Sequence, residues 1–204
     1  MIDEICDAFE STDFHAGLDE VFYIGSNNCP RCKGKDKATL FANEIKLIRR
    51  HLILKSRKLW IWGDRLIDGK TSAIGIWEAS NSNTYHAIDQ IPTDVVICDW
   101  HYERAEQTPV YFALKGFNVI SCSWRKPQVA MAQLDDQLKF RVRSNWVMKQ
   151  RYHGMMQTVW SGAESFLDGF YGRSKNPQAA NAGTNTAWDC FRAMYKRMDE
   201  LSQK

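Results

Sequence analysis

The chain has no long apolar run, no block of basic residues and no second cysteine pair to match its single CxxC. Each absence narrows the function. Apolar runs this short cannot cross a bilayer as a helix. The longest basic cluster is Arg49-Arg50-His51, and charges of both signs are interspersed at a formal net charge of +3. That pattern argues against a dedicated nucleic-acid footprint. The start, Met1-Ile2-Asp3-Glu4, is acidic and lacks the basic region of a signal peptide. Cys29-Pro30-Arg31-Cys32 offers two ligands of a tetrahedral zinc site, and no further CxxC or HxxxH offers the other two. The pair reads first as a structural element of a loop; a local disulfide, a redox pair and half a metal site stay open. Cys6, Cys98 and Cys122 sit in apolar or strand-like surroundings and read as small core residues. No internal repeat or low-complexity segment stands out.

With 204 residues and 44% hydrophobic content, the chain can bury one good core, which suggests one domain or at most two. Apolar periodicity predicts a helix end before Ser11, a strand over 13–17 and a loop over 21–34. It predicts the clearest helix over 36–54, with Leu40, Phe41, Ile45, Ile48 and Leu52 on one face. Further strands are expected over 58–62, 93–99, 118–122 and 155–160, and further helices over 111–115, 128–148, 162–170 and 186–201. A polar loop is expected over 173–185. The continuous apolar centre Val95 to Cys98 suits a strand buried on both faces. Strands alternating with helices imply βα units and a parallel sheet.

A polar or aromatic residue sits at or just past the end of each strand: His15 with Asp19-Glu20, Trp62 with Asp64, Asp99 with Trp100, Cys122 with Trp124, and Trp160. Strand C-termini are where parallel α/β folds bind ligands. Among these, Asp19-Glu20 is the most informative. Two neighbouring carboxylates in a packed site raise one another's pKa, so such a pair is either solvated or used for proton transfer beside a fixed anion. A helix-initiating acidic pair is the plain alternative. The eight tryptophans are many for this length and supply large flat apolar faces. Trp60 shares a strand face with Trp62 but is expected deeper, in the core; Trp77, before Glu78, is placed in a loop that rims the site. Asp64 and Asp99 read as ion-pair partners of Arg65 or Arg104, or as binders of ligand hydroxyls. His15 reads equally as a hydrogen-bonding anchor of the strand end and as a structural histidine.

His15-Ala16-Gly17-Leu18-Asp19-Glu20 resembles the His-x-Gly-Gly-Asp-Glu signature of family 20 glycoside hydrolases, the β-N-acetylhexosaminidases, with Leu18 where the second glycine usually stands. Later segments are similar to the family's following strands in order: Leu59 to Asp64 to the fifth, Val96 to Trp100 to the sixth, Lys115 to Ser121 to the seventh and Gly154 to Trp160 to the eighth. The resemblance implies a (β/α)8 TIM-barrel type of α/β fold, here as a partial barrel of about strands 4 to 8, with residues 1–204 as a partial catalytic domain. It implies an exo-acting enzyme that removes a terminal N-acetylhexosamine from a glycan with retention, the substrate's own acetamido oxygen being the nucleophile. Glu20 would be the general acid and then base, and Asp19 would hold the acetamido N–H. His15, Trp62, Asp64, Trp100, Trp124 and Trp160 would line the sugar site. No cofactor, metal, nucleic acid or membrane span is implied, and family members are commonly periplasmic, secreted or lysosomal.

Three departures from the family pattern bear on this. The first three strands and the arginine they carry are absent. Trp124 is followed by Arg125-Lys126-Pro127 rather than by the tyrosine that holds the acetamido carbonyl. Gly162 stands where a glutamate usually follows the eighth strand, with Glu164 nearby. A carbohydrate-binding barrel with lapsed catalysis is therefore the alternative, and a redox or zinc module on Cys29 and Cys32 a third. Half a barrel is expected to be inactive alone and prone to associate.

Overall fold

The computed structural model describes residues 1–173 and 185–203. Five strands form one parallel sheet in the order β1-β2-β3-β4-β5, which is also their order in the chain. They are β1 (Asp13–His15), β2 (Lys58–Trp62), β3 (Val96–Trp100), β4 (Asn118–Ser123) and β5 (Tyr152–Gln157). The α/β expectation holds, and a sheet whose spatial order follows its chain order is the pattern that a (β/α) barrel has. The helices are α1 (Ile2–Ala8), α2 (Lys37–Ile53), α3 (Gly69–Ser72), α4 (Thr108–Leu114), α5 (Pro127–Arg143), α6 (Trp146–Lys149), α7 (Ala163–Phe170) and α8 (Ala187–Ser202). Of the loop expected over 173–185, residues 174–184 lie outside the described residues.

The chain divides into two compact units. The first comprises Met1–Trp100 and Val110–Val119. Here α2 starts where Asp36 accepts the Thr39 N–H at 2.7 Å, which satisfies a donor the helix itself cannot. Its Phe41, Ala42, Ile45 and Leu52 are buried. Strand β2 alternates in burial, with Leu59 and Ile61 buried and Trp60 and Trp62 half-buried. All five residues of β3 are buried. Trp60 is thus not the deep core residue expected: its indole N–H reaches out to Asp13 Oδ1 at 2.7 Å. After β2 the chain passes through Gly63. A Cβ there would lie 2.8 Å from Ile97 Cγ2 and 3.0 Å from Phe112 Cζ, so only glycine lets β2 run this close to its neighbours.

The second unit comprises His101–Pro109 and Ile120–Lys204. Helix α5 buries Val129, Ala130 and Leu134 along with two glutamines. Gln133 donates to the His101 carbonyl at 2.8 Å and Gln137 to Ser121 Oγ at 2.7 Å, which is how buried amides are tolerated. The single helix expected over 128–148 is two. Ser144 is extended, and the Asn145 side chain takes the N–H groups of Val147 and Met148 to start α6. A side-chain acceptor competing with the helix ladder breaks it there. The last strand also differs from expectation. It runs Tyr152–Gln157 rather than 155–160, so Trp160 lies three residues beyond it.

Candidate functional site

In the first unit the ladder between β1 and β2 runs past the strand itself. The Ala16 N–H donates to the Trp60 carbonyl at 2.9 Å, and the Trp62 N–H to the Gly17 carbonyl at 3.1 Å. The chain then turns sharply. Gly17, Leu18 and Glu20 have φ of 74°, 69° and 51°. Leu18, which stands in place of a glycine, is thus held in the left-handed region that a side chain adopts at a cost of about 1–2 kcal/mol. Asp19 is half-buried and the Glu20 side chain exposed.

What holds this turn is Asp64. Its carboxylate is 1% exposed, and Oδ2 accepts both the Glu20 N–H at 3.0 Å and the Arg65 Nε–H at 2.6 Å. Oδ1 is buried with no partner among the described residues. Burial pushes the Asp64 pKa up to about 6, opposed by the Arg65 charge and the Glu20 N–H and reinforced by the charge of Asp19. Of the two readings open for Asp64, the ion pair with Arg65 is the one formed. Arg65 is itself 1% exposed. Its Nη2 donates to the carbonyls of Ile76, Trp77 and Ala79 at 2.7–2.8 Å, and its guanidinium lies 4.9 Å over the Phe22 ring. Phe22 meets Trp77 edge-on at 5.3 Å, and Trp77 is 60% exposed. One buried cation thereby ties the Trp77 loop and the segment after Glu20 to the carboxylate that fixes Glu20. Breaking such a pair from one side costs about 3–5 kcal/mol.

His15 Nδ1 accepts the Gly17 N–H at 3.1 Å, so the neutral ring carries its proton on Nε2. Nε2 is buried without a partner among the described residues, and the ring lies 4.4 Å from that of Trp62. Asp13 and His15, and Trp60 and Trp62, therefore share one polar and aromatic face, which β3 continues with Trp100, 8% exposed. Asp99 is buried. Arg104 pairs with Glu106 at 2.6 Å.

The second unit gathers the remaining aromatic residues. The Trp160 indole N–H donates to the Tyr102 hydroxyl at 2.7 Å, and Tyr102 meets Trp124 edge-on at 5.5 Å. The Arg125 guanidinium covers the Trp124 ring at 4.5 Å. Thr158 anchors this group by donating its N–H and its hydroxyl to the Ser123 carbonyl, at 2.8 and 2.7 Å. Trp160 is 54% exposed. Phe22 and Thr158 escaped the sequence reading, and so did everything Arg65 binds beyond Asp64. Arg65 follows an aspartate and looks like an ordinary surface cation; only the distant carbonyls it binds reveal its place.

Cys29 and Cys32 are joined as a disulfide, while Cys6, Cys98, Cys122 and Cys190 are buried and outside any disulfide. Among the described residues no group of three or more His, Cys, Asp or Glu could hold a metal ion, and no helix is long and apolar enough to cross a membrane. No family model and no curated protein matches this chain. Among solved structures it is similar to a β-N-acetylhexosaminidase from Bacteroides fragilis NCTC 9343, at 21% identity and a TM-score of 0.44. The match covers 81% of this chain and 34% of that protein, so this chain spans about a third of its length.

Proposed function

We propose that the chain carries the acid–base part of a glycoside hydrolase site of the family 20 kind. Its reaction is retaining, substrate-assisted removal of a terminal N-acetylhexosamine. The observation that supports this best is the backbone at Glu20. Its N–H is gripped by a fully buried carboxylate, its φ is left-handed, and its side chain is left exposed at the C-terminal end of the β1–β2 ladder. Non-glycine residues in this conformation persist where the surroundings over-determine them, as at working sites.

In this reading Glu20 protonates the glycosidic oxygen and later takes a proton from the attacking water. Asp19, half-buried beside it, accepts the acetamido N–H and stabilises the cationic ring intermediate. Trp62, braced by His15, forms a wall, and the second unit by itself presents flat surfaces on Trp124 and Trp160. Trp100 is the most enclosed of the four and contributes least direct contact. Asp64 touches no substrate here; it positions Glu20.

One observation favours a second reading, sugar binding without catalysis. Arg125, which replaces the family's tyrosine, stacks on Trp124 instead of presenting a hydroxyl. The protein expressed from its whole reading frame separates the two. Release of 4-nitrophenol from the N-acetyl-β-glucosaminide and β-galactosaminide is expected, falling by about 10²–10⁴ in Glu20→Gln while the sugar is still bound. Absence of turnover in the parent, with binding kept, would select the second reading.

A further inference from the structure

We propose that Cys29 and Cys32 are a thiol–disulfide exchange site whose reactants are small thiols and small disulfides, and that its state sets how firmly the segment behind Glu20 is held. The second half rests on the functional reading above; the first does not.

The pair is set apart from the other cysteines. Those four are buried and outside any disulfide, whereas Cys29 and Cys32 are partly exposed and flanked by exposed residues from Asn27 to Asp36. The two sulfurs are also unequal. The Cys32 N–H points at Cys29 Sγ at 3.2 Å, where it stabilises negative charge once the bond opens. Arg31, Lys33 and Lys35 lie within three residues of the pair in the chain, all exposed, and none is ion-paired among the described residues. The nearest carboxylate in sequence, Asp36, is engaged in capping α2. A thiol beside cations and an inward N–H ionises more readily, which makes Cys29 the attacking sulfur and the better leaving group.

The chemistry balances between the pair and the small molecule. The Cys29 thiolate attacks one sulfur of a small disulfide, forms a mixed disulfide and releases one small thiolate. The Cys32 thiolate then attacks Cys29 Sγ, closes the intramolecular bond and expels the second. Two electrons and two protons pass to the small disulfide, which ends as two thiols; two equivalents of the small thiol drive the reverse.

A run of hydrogen-bonded turns leads from this pair to Glu20. The Phe22 N–H bonds the Glu20 carbonyl at 2.7 Å, Ser26 bonds Tyr23 at 3.0 Å and Cys29 bonds Ser26 at 3.1 Å. Lys33 bonds Cys29 at 3.0 Å and Lys35 bonds Cys32 at 3.1 Å. Opening the disulfide removes the constraint at the far end of that run, and Phe22 lies under the Arg65 that holds Asp64.

The test equilibrates the full chain in glutathione redox buffers, quenches it by alkylation and maps the adducts by mass. Two adducts, on Cys29 and Cys32 alone, should appear in one two-electron transition while the circular dichroism is unchanged. Cys32→Ser should trap a mixed disulfide with glutathione on Cys29. In Cys29→Ser, Cys32 should alkylate at least about tenfold more slowly than Cys29 does in Cys32→Ser. Amides of Val21 to Lys35 should exchange with deuterium faster in the reduced form. Thiols reached only on unfolding, equal reactivity of the two sulfurs, or zinc uptake that blocks alkylation would each overturn the exchange site. Unchanged deuterium exchange on reduction would overturn the link to Glu20. None of these readouts needs glycoside turnover, so each reading can fail without the other.

Discussion

Asp64 offers the sharpest test at the level of one side chain. Its pKa is raised from 3.8 to about 6 by burial. The folded protein therefore holds a proton on Asp64 more tightly than the unfolded chain does. The resulting stabilisation is complete below about pH 4 and is lost as pH rises to about 6. That shift corresponds to about 3 kcal/mol. Asp64→Asn lacks this loss. Relative to the parent its stability should rise by about that amount between pH 4 and pH 7, in urea unfolding at the two values. A difference that does not change with pH would mean the carboxyl is not governed by burial. Asp64→Ala should be destabilised at both, because Arg65 and the Glu20 N–H lose their acceptor together. The sequence made the carboxylates at the strand ends legible, because chemistry-bearing residues cluster there in any parallel sheet. It also made the Asp64–Arg65 pair legible, but not the other partners of Arg65. Nothing local says that three carbonyls from residues 76–79 will converge on one guanidinium.

Among the elements, the ones read best are those whose pattern is local. Strand β2 alternates over its whole length, and α2 announces itself with Asp36 at the cap and apolar residues at helical spacing. The elements misread are those whose ends are decided elsewhere. The run Met155 to Trp160 is mostly apolar, yet β5 begins earlier, at Tyr152, which packs against Phe140 of α5 at 5.5 Å. It ends where Thr158 turns both its N–H and its hydroxyl to Ser123. The connection after β2 is likewise set by packing, and it carries a prediction. Gly63 has an ordinary φ of −88°, so replacing it meets no backbone penalty and only the steric one. Gly63→Ala should cost about 1–3 kcal/mol, because Ile97 and Phe112 must both give way. The Gly63 N–H bonds the Cys98 carbonyl at 2.9 Å, so any shift passes directly to Asp64. Gly162→Ala is the control. Nothing lies within 4 Å of its added methyl, and its stability should stay within about 0.5 kcal/mol of the parent. Denaturant midpoints of the two variants, measured side by side, decide this.

For the whole molecule, the strand order has a consequence that no single residue shows. Because β1 and β5 stand at the two ends of the sheet order, each pairs on one side only. A strand edge with free N–H and C=O groups is a template for another chain, and natural sheets blunt it with charge, proline or brevity. At one end brevity is the device, since β1 is three residues long and starts with Asp13. Strand β5 has six residues, among them Met155 and Met156, half-buried and uncharged. Its edge is the less protected of the two. The chain alone should therefore associate with rising concentration, seen as a growing average mass in sedimentation. A lysine in place of Met155 or Met156 should reduce that association more than one in place of Phe14 does. A single monomeric species at all concentrations, unchanged by these substitutions, would mean that the β5 edge offers no pairing surface and would remove the argument from strand order.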